Sequence, residues 1–429
     1  MRNRYLLLFT FTVFLVIAAC TSSRKAMQIK SSNQYYLYNP GSTFMHPEFS
    51  VYHHTDTSSQ LFIKFFTDEF LFNQANPEQT MQAGLNIKYQ LFDITDDKNN
   101  PALVDSSTYI RYVEKRNIRK VLLVPLFIKA QAGREYTMKV VSLDINRKAT
   151  HTASLYVDKL TTGSVQNYKL IQTQGGAPLF RQYINSDDLF KIVSNRNRIE
   201  SLFIRYQKNT LPLPAPAFSA TGEKTFTFQT DSSWVFPYNP GQNYNFQTEG
   251  LYFIQPDSSK EEGLYLMHFG KYFPKIKTPE AMIEPLEYIT TTTEFRKLKA
   301  EPNKKLAVDN YWLKLGGNPD VSRELIRVFY TRMYFANYYF TSFKEGWKTD
   351  RGMIYIIFGQ PNYITKTAAS ETWEYYNTQS AKSVEFVFDK IPSVYTVNHY
   401  VLQRNEYLNG FWRQAVDTWR SGKVYSAEE

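Results

Sequence analysis

From residue 35 to residue 158 the chain alternates apolar and polar side chains with a period of two, in short runs rich in Val, Ile, Tyr, Phe and Thr. The clearest runs are 60–66 (QLFIKFF), 85–92 (LNIKYQLF), 120–128 (KVLLVPLFI), 136–143 (YTMKVVSL) and 151–157 (HTASLYV), separated by Asn, Asp, Gly and Pro. Successive residues of a strand face opposite sides, so each run can bury one face and wet the other. Several such runs with no helical period between them predict an antiparallel β-sandwich over 35–158. Cys20 is the single cysteine, so no disulfide frame can replace a packed core.

A second strand-rich region follows over 159–275, with candidate strands at 189–193, 201–206, 225–229, 250–254 and 263–269. Within it 211–218 (LPLPAPAF) has Pro at every second position. Proline lacks the ladder donor, so this segment reads as an edge or an extended polyproline-like stretch, with edge protection favoured. Tyr38-Asn39-Pro40-Gly41 recurs as Tyr238-Asn239-Pro240-Gly241, a turn sequence in which Pro fixes the first position and Gly accepts positive φ.

Beyond residue 275 the period becomes helical. Thr278-Pro279-Glu280 and Asn318-Pro319-Asp320 each place a capping side chain before a proline and an acid in the first turn. The second of these opens a long helix with Val321, Leu325, Val328, Phe329, Phe335, Phe340 and Phe343 on one side, a stripe that reads as core. Strand patterns resume at 353–358, 372–376, 383–388 and 393–402, and 405–420 is helical. The chain is therefore expected to be mainly β with a C-terminal α+β region: a β-sandwich (35–158), a second sandwich-like domain (159–275), and helices on a small antiparallel sheet (276–429).

The first residues carry a different message. Arg2 and Arg4 precede an apolar run and the small residues Ala18-Ala19-Cys20, the layout of a secretory signal peptide over 1–19. Ile17-Ala18-Ala19-Cys20 resembles the lipobox of bacterial lipoproteins, which implies acylation of Cys20, a tether over 20–34 and membrane attachment through lipid. No other apolar run is long enough to span a bilayer. Ser23-Arg24-Lys25 lacks an acidic export tag, which favours the periplasmic side of the outer membrane.

Residues 343–362 (FKEGWKTDRGMIYIIFGQPN) gather Gly346, Trp347, Thr349, Asp350, Arg351, Gly352, Gly359 and Pro361. The pattern reads as a joint: a helix ending at Gly346 in the left-handed conformation, a corner at 347–351, a strand from Gly352 to Phe358, and a turn at Gly359 and Pro361. Asp350 is expected to bond backbone donors or pair with Arg327 or Arg332. This run, with Arg332, Tyr334-Phe335-Ala336-Asn337, Glu371-x-Trp373-x-Tyr375 and the strand 384–388, resembles the GWxTD domain of exported proteins and lipoproteins of Bacteroidetes and related bacteria. The resemblance covers about 305–415 and implies an envelope setting, without implying a reaction, ligand or catalytic residue.

Enzyme signatures are missing from the sequence itself. The six histidines form no H-E-x-x-H, and there is no G-x-S-x-G elbow, phosphate loop or dinucleotide fingerprint. His53 and His54 should face opposite sides of a strand. The acidic 93–105 segment lacks the Gly and Glu of a calcium loop and reads as a hairpin tip. No metal, cofactor or catalytic residue is expected; a hydrolase would have to pair Asp350 with Glu371 or Glu374. The net charge of +10 is spread over 116–120, 196–198 and 296–299, whereas a nucleic-acid binder would concentrate it. Thirty-two Tyr and 32 Phe exceed what cores usually need, so protein partners, or an envelope glycan or peptide, are the expected contacts. The tyrosine pairs 35–36, 338–339 and 375–376 should each point one ring outward where the chain is extended.

Overall fold

The computed structural model describes residues 34–426, apart from 40, 42, 75, 77–79, 99, 116–119, 197–198, 210, 223–224, 261, 368 and 377–382. The expected signal peptide (1–19), Cys20, nearly all of the expected tether (20–34) and most of the basic run at 116–120 lie outside the described residues.

The first sheet pair is built from β1 (Glu48–Thr55), β2 (Ser58–Phe66), β3 (Gln82–Asp93), β4 (Ala102–Glu114), β5 (Val121–Ile128), β6 (Glu135–Asp144) and β7 (Ala149–Asp158). One sheet has the order β1-β2-β5 and the other β4-β3-β6-β7, all antiparallel. Their inner faces share a core of Leu61, Ile63, Phe65, Leu85, Ile87, Leu91, Val124, Met138 and Val140. These residues occupy every second position of their strands, as the alternation requires. The 93–105 segment does form the β3–β4 hairpin. β4 itself is unmarked by alternation because most of its side chains are exposed on both faces.

The middle of the chain supplies β8 (Tyr168–Gln172), β9 (Tyr183–Ile184), β10 (Phe190–Ser194), β11 (Ser201–Gln207), β12 (Ser232–Pro237), β13 (Gly250–Gln255) and β14 (Leu264–His268). A β12-β11-β13-β14-β9 sheet stacks on the β10-β8 pair around Phe190, Ile192, Ile204, Ile254 and Leu266. Every residue of β13 and β14 is buried. On their far face Tyr265 meets Tyr395 of the last third at 4.4 Å, and Phe226, from the segment before β12, stacks on Phe343 at 4.4 Å. The candidate strand at 225–229 is irregular instead, its aromatics serving as packing between layers. Residues 211–218 form no strand. They cross to the C-terminal core, where Ala217 is fully buried and its carbonyl accepts from the Asn405 amide.

The last third has helices at Pro279–Ile283, Thr292–Ala300, Lys304–Gly316, Pro319–Phe340, Asp350–Phe358 and Leu408–Arg420, with a sheet of β15 (Tyr363–Lys366), β16 (Ser370–Tyr376), β17 (Ser383–Lys390) and β18 (Tyr400–Leu402) in that order. Thr278 and Asn318 cap their helices as the sequence indicates. Most of 393–402 is irregular, with only Tyr400–Leu402 paired. The turn echo is local: Asn39 and Asn239 each accept a bond from the glycine two residues on, at 2.9 and 2.8 Å. Tyr38 and Tyr238, however, pack in different cores.

Candidate functional site

Residues 350–358 form a helix, where the sequence reading placed a strand. Its residues, DRGMIYIIF, are all buried, so no polar face marks a helical period, and a β-branched apolar run of this length looks like a core strand. The overlooked signal is Thr349, which caps the helix: its Oγ1 accepts from the Gly352 amide at 3.1 Å and donates to the Gly346 carbonyl at 2.7 Å. Asp350 follows at the first helical position, where a carboxylate suits the positive end of the helix dipole.

The preceding long helix stops at Phe340, before the expected Gly346, and Gly346 is not left-handed. Gly346 is needed for closeness: a Cβ there would overlap the Ala336 carbonyl, and one on Gly352 would overlap the Gly346 carbonyl. The two glycines let the Gly346–Lys348 turn lie directly between the long helix and the buried helix. Trp347 is wedged there. Its amide donates to Asn337 Oδ1 at 3.1 Å, its carbonyl accepts from Tyr288 at 2.9 Å, and its ring meets Tyr288 edge-on.

Asp350 is fully buried and grips Arg404 through both oxygens, at 2.5 and 3.1 Å, while Oδ2 also accepts the Leu402 amide at 2.8 Å. Neither expected arginine is its partner. Arg327 pairs with Glu324 on the surface. Arg332 donates to the carbonyls of Ile356 and Ile357 at the end of the buried helix and to Tyr425; burial lowers its pKa to about 10, so it remains a cation at neutral pH.

Arg351 points into a second network. It pairs with Glu371 at 3.1 Å, donates to Asn398 Oδ1 at 2.5 Å and to the Tyr38 hydroxyl at 3.3 Å, and lies 3.9 Å over the Tyr400 ring. Glu371 also accepts from Trp373 Nε1 at 2.8 Å and faces Lys366 at 3.4 Å. Burial alone would raise its pKa, but Lys366 and Arg351 hold it below the ordinary value, so it stays ionised. Asn398 donates in turn to the carbonyls of Tyr339 and Thr341 at the end of the long helix.

Tyr38 joins this network from the far end of the chain. Its ring sits between Phe340 and Trp373, its carbonyl accepts from Tyr355 at 3.0 Å, and the nearby Gln34 amide bonds to Ile364. Gly359 takes φ +82°, which favours glycine, and its carbonyl accepts from Tyr375 at 2.8 Å. Pro361 is buried in the turn that follows.

The structure thus brings Gly346, Trp347, Thr349, Asp350, Arg351, Gly352, Gly359 and Trp373 around one buried helix. It adds Tyr38, Arg404, Asn398 and Lys366, which local sequence pattern does not mark. Asp350 and Glu371 face different cations, and Glu374 stands on β16 opposite Glu385. Tyr375 is buried and Tyr376 exposed, as alternation predicts; Tyr338 and Tyr339 lie on a helix, where Tyr338 is the exposed one. His53 is buried and His54 exposed.

The family model of the GWxTD domain matches residues 250–421, a span that includes the whole network apart from Tyr38. This chain carries a GWxTD domain. No curated protein matched. Among solved structures, a Bacteroides uniformis beta-glucuronidase is similar at 11% identity and TM-score 0.18, over 26% of this chain and 13% of that one. Bacteroides uniformis beta-glucuronidase 2, covalently bound to cyclophellitol-6-carboxylate aziridine, is similar at 9% identity and TM-score 0.17, over the same shares. The matched part spans 13% of those chains, and at such TM-scores the likeness carries no argument about fold or activity.

Proposed function

We propose that this protein is a non-enzymatic lipoprotein of the bacterial outer membrane, anchored through Cys20 and facing the periplasm. In this reading it acts as an accessory or scaffold subunit of a cell-envelope assembly that handles export or outer-membrane proteins, in Bacteroidetes or related bacteria. One observation carries the reading: the charged residues of the GWxTD motif are buried and engaged with partners from its own chain. Asp350 and Arg351 are at most 1% exposed, which suits a motif that organises a fold. The sequence around Cys20 supports the anchor. Affinity purification from gently solubilised membranes tests the proposal: a stoichiometric envelope companion is expected, and migration alone would refute it.

A second reading, binding of an envelope glycan or peptide, is favoured by an open cavity of about 620 Å³ lined by Phe218, Ser219, Leu402, Arg404, Asn405 and Asn409. An aromatic ring beside amide and hydroxyl groups is a usual small-ligand lining. Pull-down on purified peptidoglycan and surface polysaccharide tests it, and no retention on either would remove it.

A further inference from the structure

A free strand edge invites another strand, and folded proteins usually blunt such edges. Three edges of the N-terminal sandwich are blunted. β5 carries Pro125. On β7 the Gln166 side chain bonds the Tyr156 carbonyl and the Asp158 amide. β1 lies against β8 and the Val165–Asn167 turn. β4 differs: among the described residues it pairs only with β3, and it runs from Ala102 to Glu114 with no Pro and no Lys. Leu103, Val104, Ile110 and Tyr112 are exposed along it, Tyr112 at 63%.

We propose that β4 is a self-association surface, on which two copies of this chain pair their β4 strands antiparallel about a two-fold axis. The two β4-β3-β6-β7 sheets then become one continuous sheet. Such an axis stands perpendicular to the sheet and keeps each face on its own side, so paired residues must come from the same face. Ser106, Thr108 and Ile110 share the outer face with Gln90, Lys88 and Asn86; Asp105, Ser107, Tyr109 and Arg111 share the inner face with Leu91, Tyr89, Ile87 and Leu85.

Charge then selects the register. Between Ala102 and Val113 the only charges are Asp105 and Arg111. With Thr108 on the axis, Asp105 of each copy lies opposite Arg111 of the other, and Ile110 lies opposite Ser106. Opposite charges facing across strands stabilise a pairing. Asp105 is already held in place, because its Oδ2 accepts from the Tyr89 hydroxyl at 2.9 Å and the Lys129 amide at 2.8 Å. Among the described residues Arg111 has no ion-pair partner in its own chain.

Self-pairing goes beyond the envelope role and can fail separately, since it requires no companion protein. The test is a Thr108→Cys variant of the full-length protein, oxidised and run on a non-reducing gel. Residues facing each other in an antiparallel pair have Cα atoms about 4.5–5.5 Å apart, within disulfide reach. The expected result is a covalent homodimer well above the parent and above Lys139→Cys on the outer face of β6. Arg111→Asp is expected to weaken self-association by about tenfold, by setting like charges opposite one another. A monomeric parent in sedimentation at tens of micromolar, crosslinking no better than Lys139→Cys, a Thr108→Cys adduct with a chain of different mass, or an Arg111→Asp protein that associates as before would each overturn the proposal.

Discussion

Asp350→Asn separates an architectural motif from a catalytic one. In the wild type the Asp350 carboxylate is fully buried and Arg404, 4% exposed, is its partner. The amide keeps an acceptor for the Leu402 amide, so the backbone contact survives, but the nearly buried guanidinium loses its counter-charge. Breaking one side of a buried pair typically costs about 3–5 kcal/mol, mostly as the penalty of the stranded charge. The loss should appear in urea unfolding followed by tryptophan fluorescence. Five of the six tryptophans, Trp312, Trp347, Trp373, Trp412 and Trp419, lie in the last third, so the signal reports mainly on the domain that holds the pair. Adding Arg404→Met removes the stranded charge and should restore about half of the loss, about 2 kcal/mol. A single variant within about 0.5 kcal/mol of wild type, the range of an ordinary surface change, would refute the reasoning. Loss of a turnover at unchanged stability would assign the aspartate to chemistry.

Gly352→Ala should destabilise the same transition by about 3 kcal/mol or more, because the new methyl meets backbone that cannot yield; a folded variant with the wild-type midpoint would contradict the close approach. Tyr38→Ala should cost about 3–5 kcal/mol by emptying an aromatic site. Hydrogen exchange in β15 and β16 should accelerate, and unchanged protection there would show that the docked segment contributes nothing. Part of the pH dependence comes from His53, whose Nε2–H donates to the Asp158 carbonyl while Nδ1 faces Ser59. Burial lowers its pKa to about 4, so the unfolded chain binds the proton first, and stability present above about pH 6.5 is lost as pH falls toward 4. His53→Gln should flatten that slope in urea midpoints measured from pH 7 to pH 4, and an unaltered slope would show that the histidine does not contribute.

The sequence was legible wherever burial was one-sided. β2, β3, β6 and β7 alternate because one face meets the core and the other meets water, and Thr278 and Asn318 announce their helices because capping is a local bond. It was misleading where burial was complete or missing. The Asp350–Phe358 helix has no wet face to set a period, and β4 has almost no buried one. Arg404 lies 54 residues from Asp350, and no spacing rule connects a carboxylate to a cation chosen by tertiary packing. For the same reason the motif's residue types were readable while their partners were not.

The docking of Tyr38 has a consequence for the order in which the molecule can be completed. Its contact with Arg351 spans 313 positions of the chain, and a polypeptide is synthesised from its amino end. When Tyr38 emerges, the aromatic slot that will hold it has not yet been made. The segment must wait, unhoused, until nearly the whole protein has followed it, so closure of the amino-terminal end onto the last third is necessarily one of the final acts of maturation.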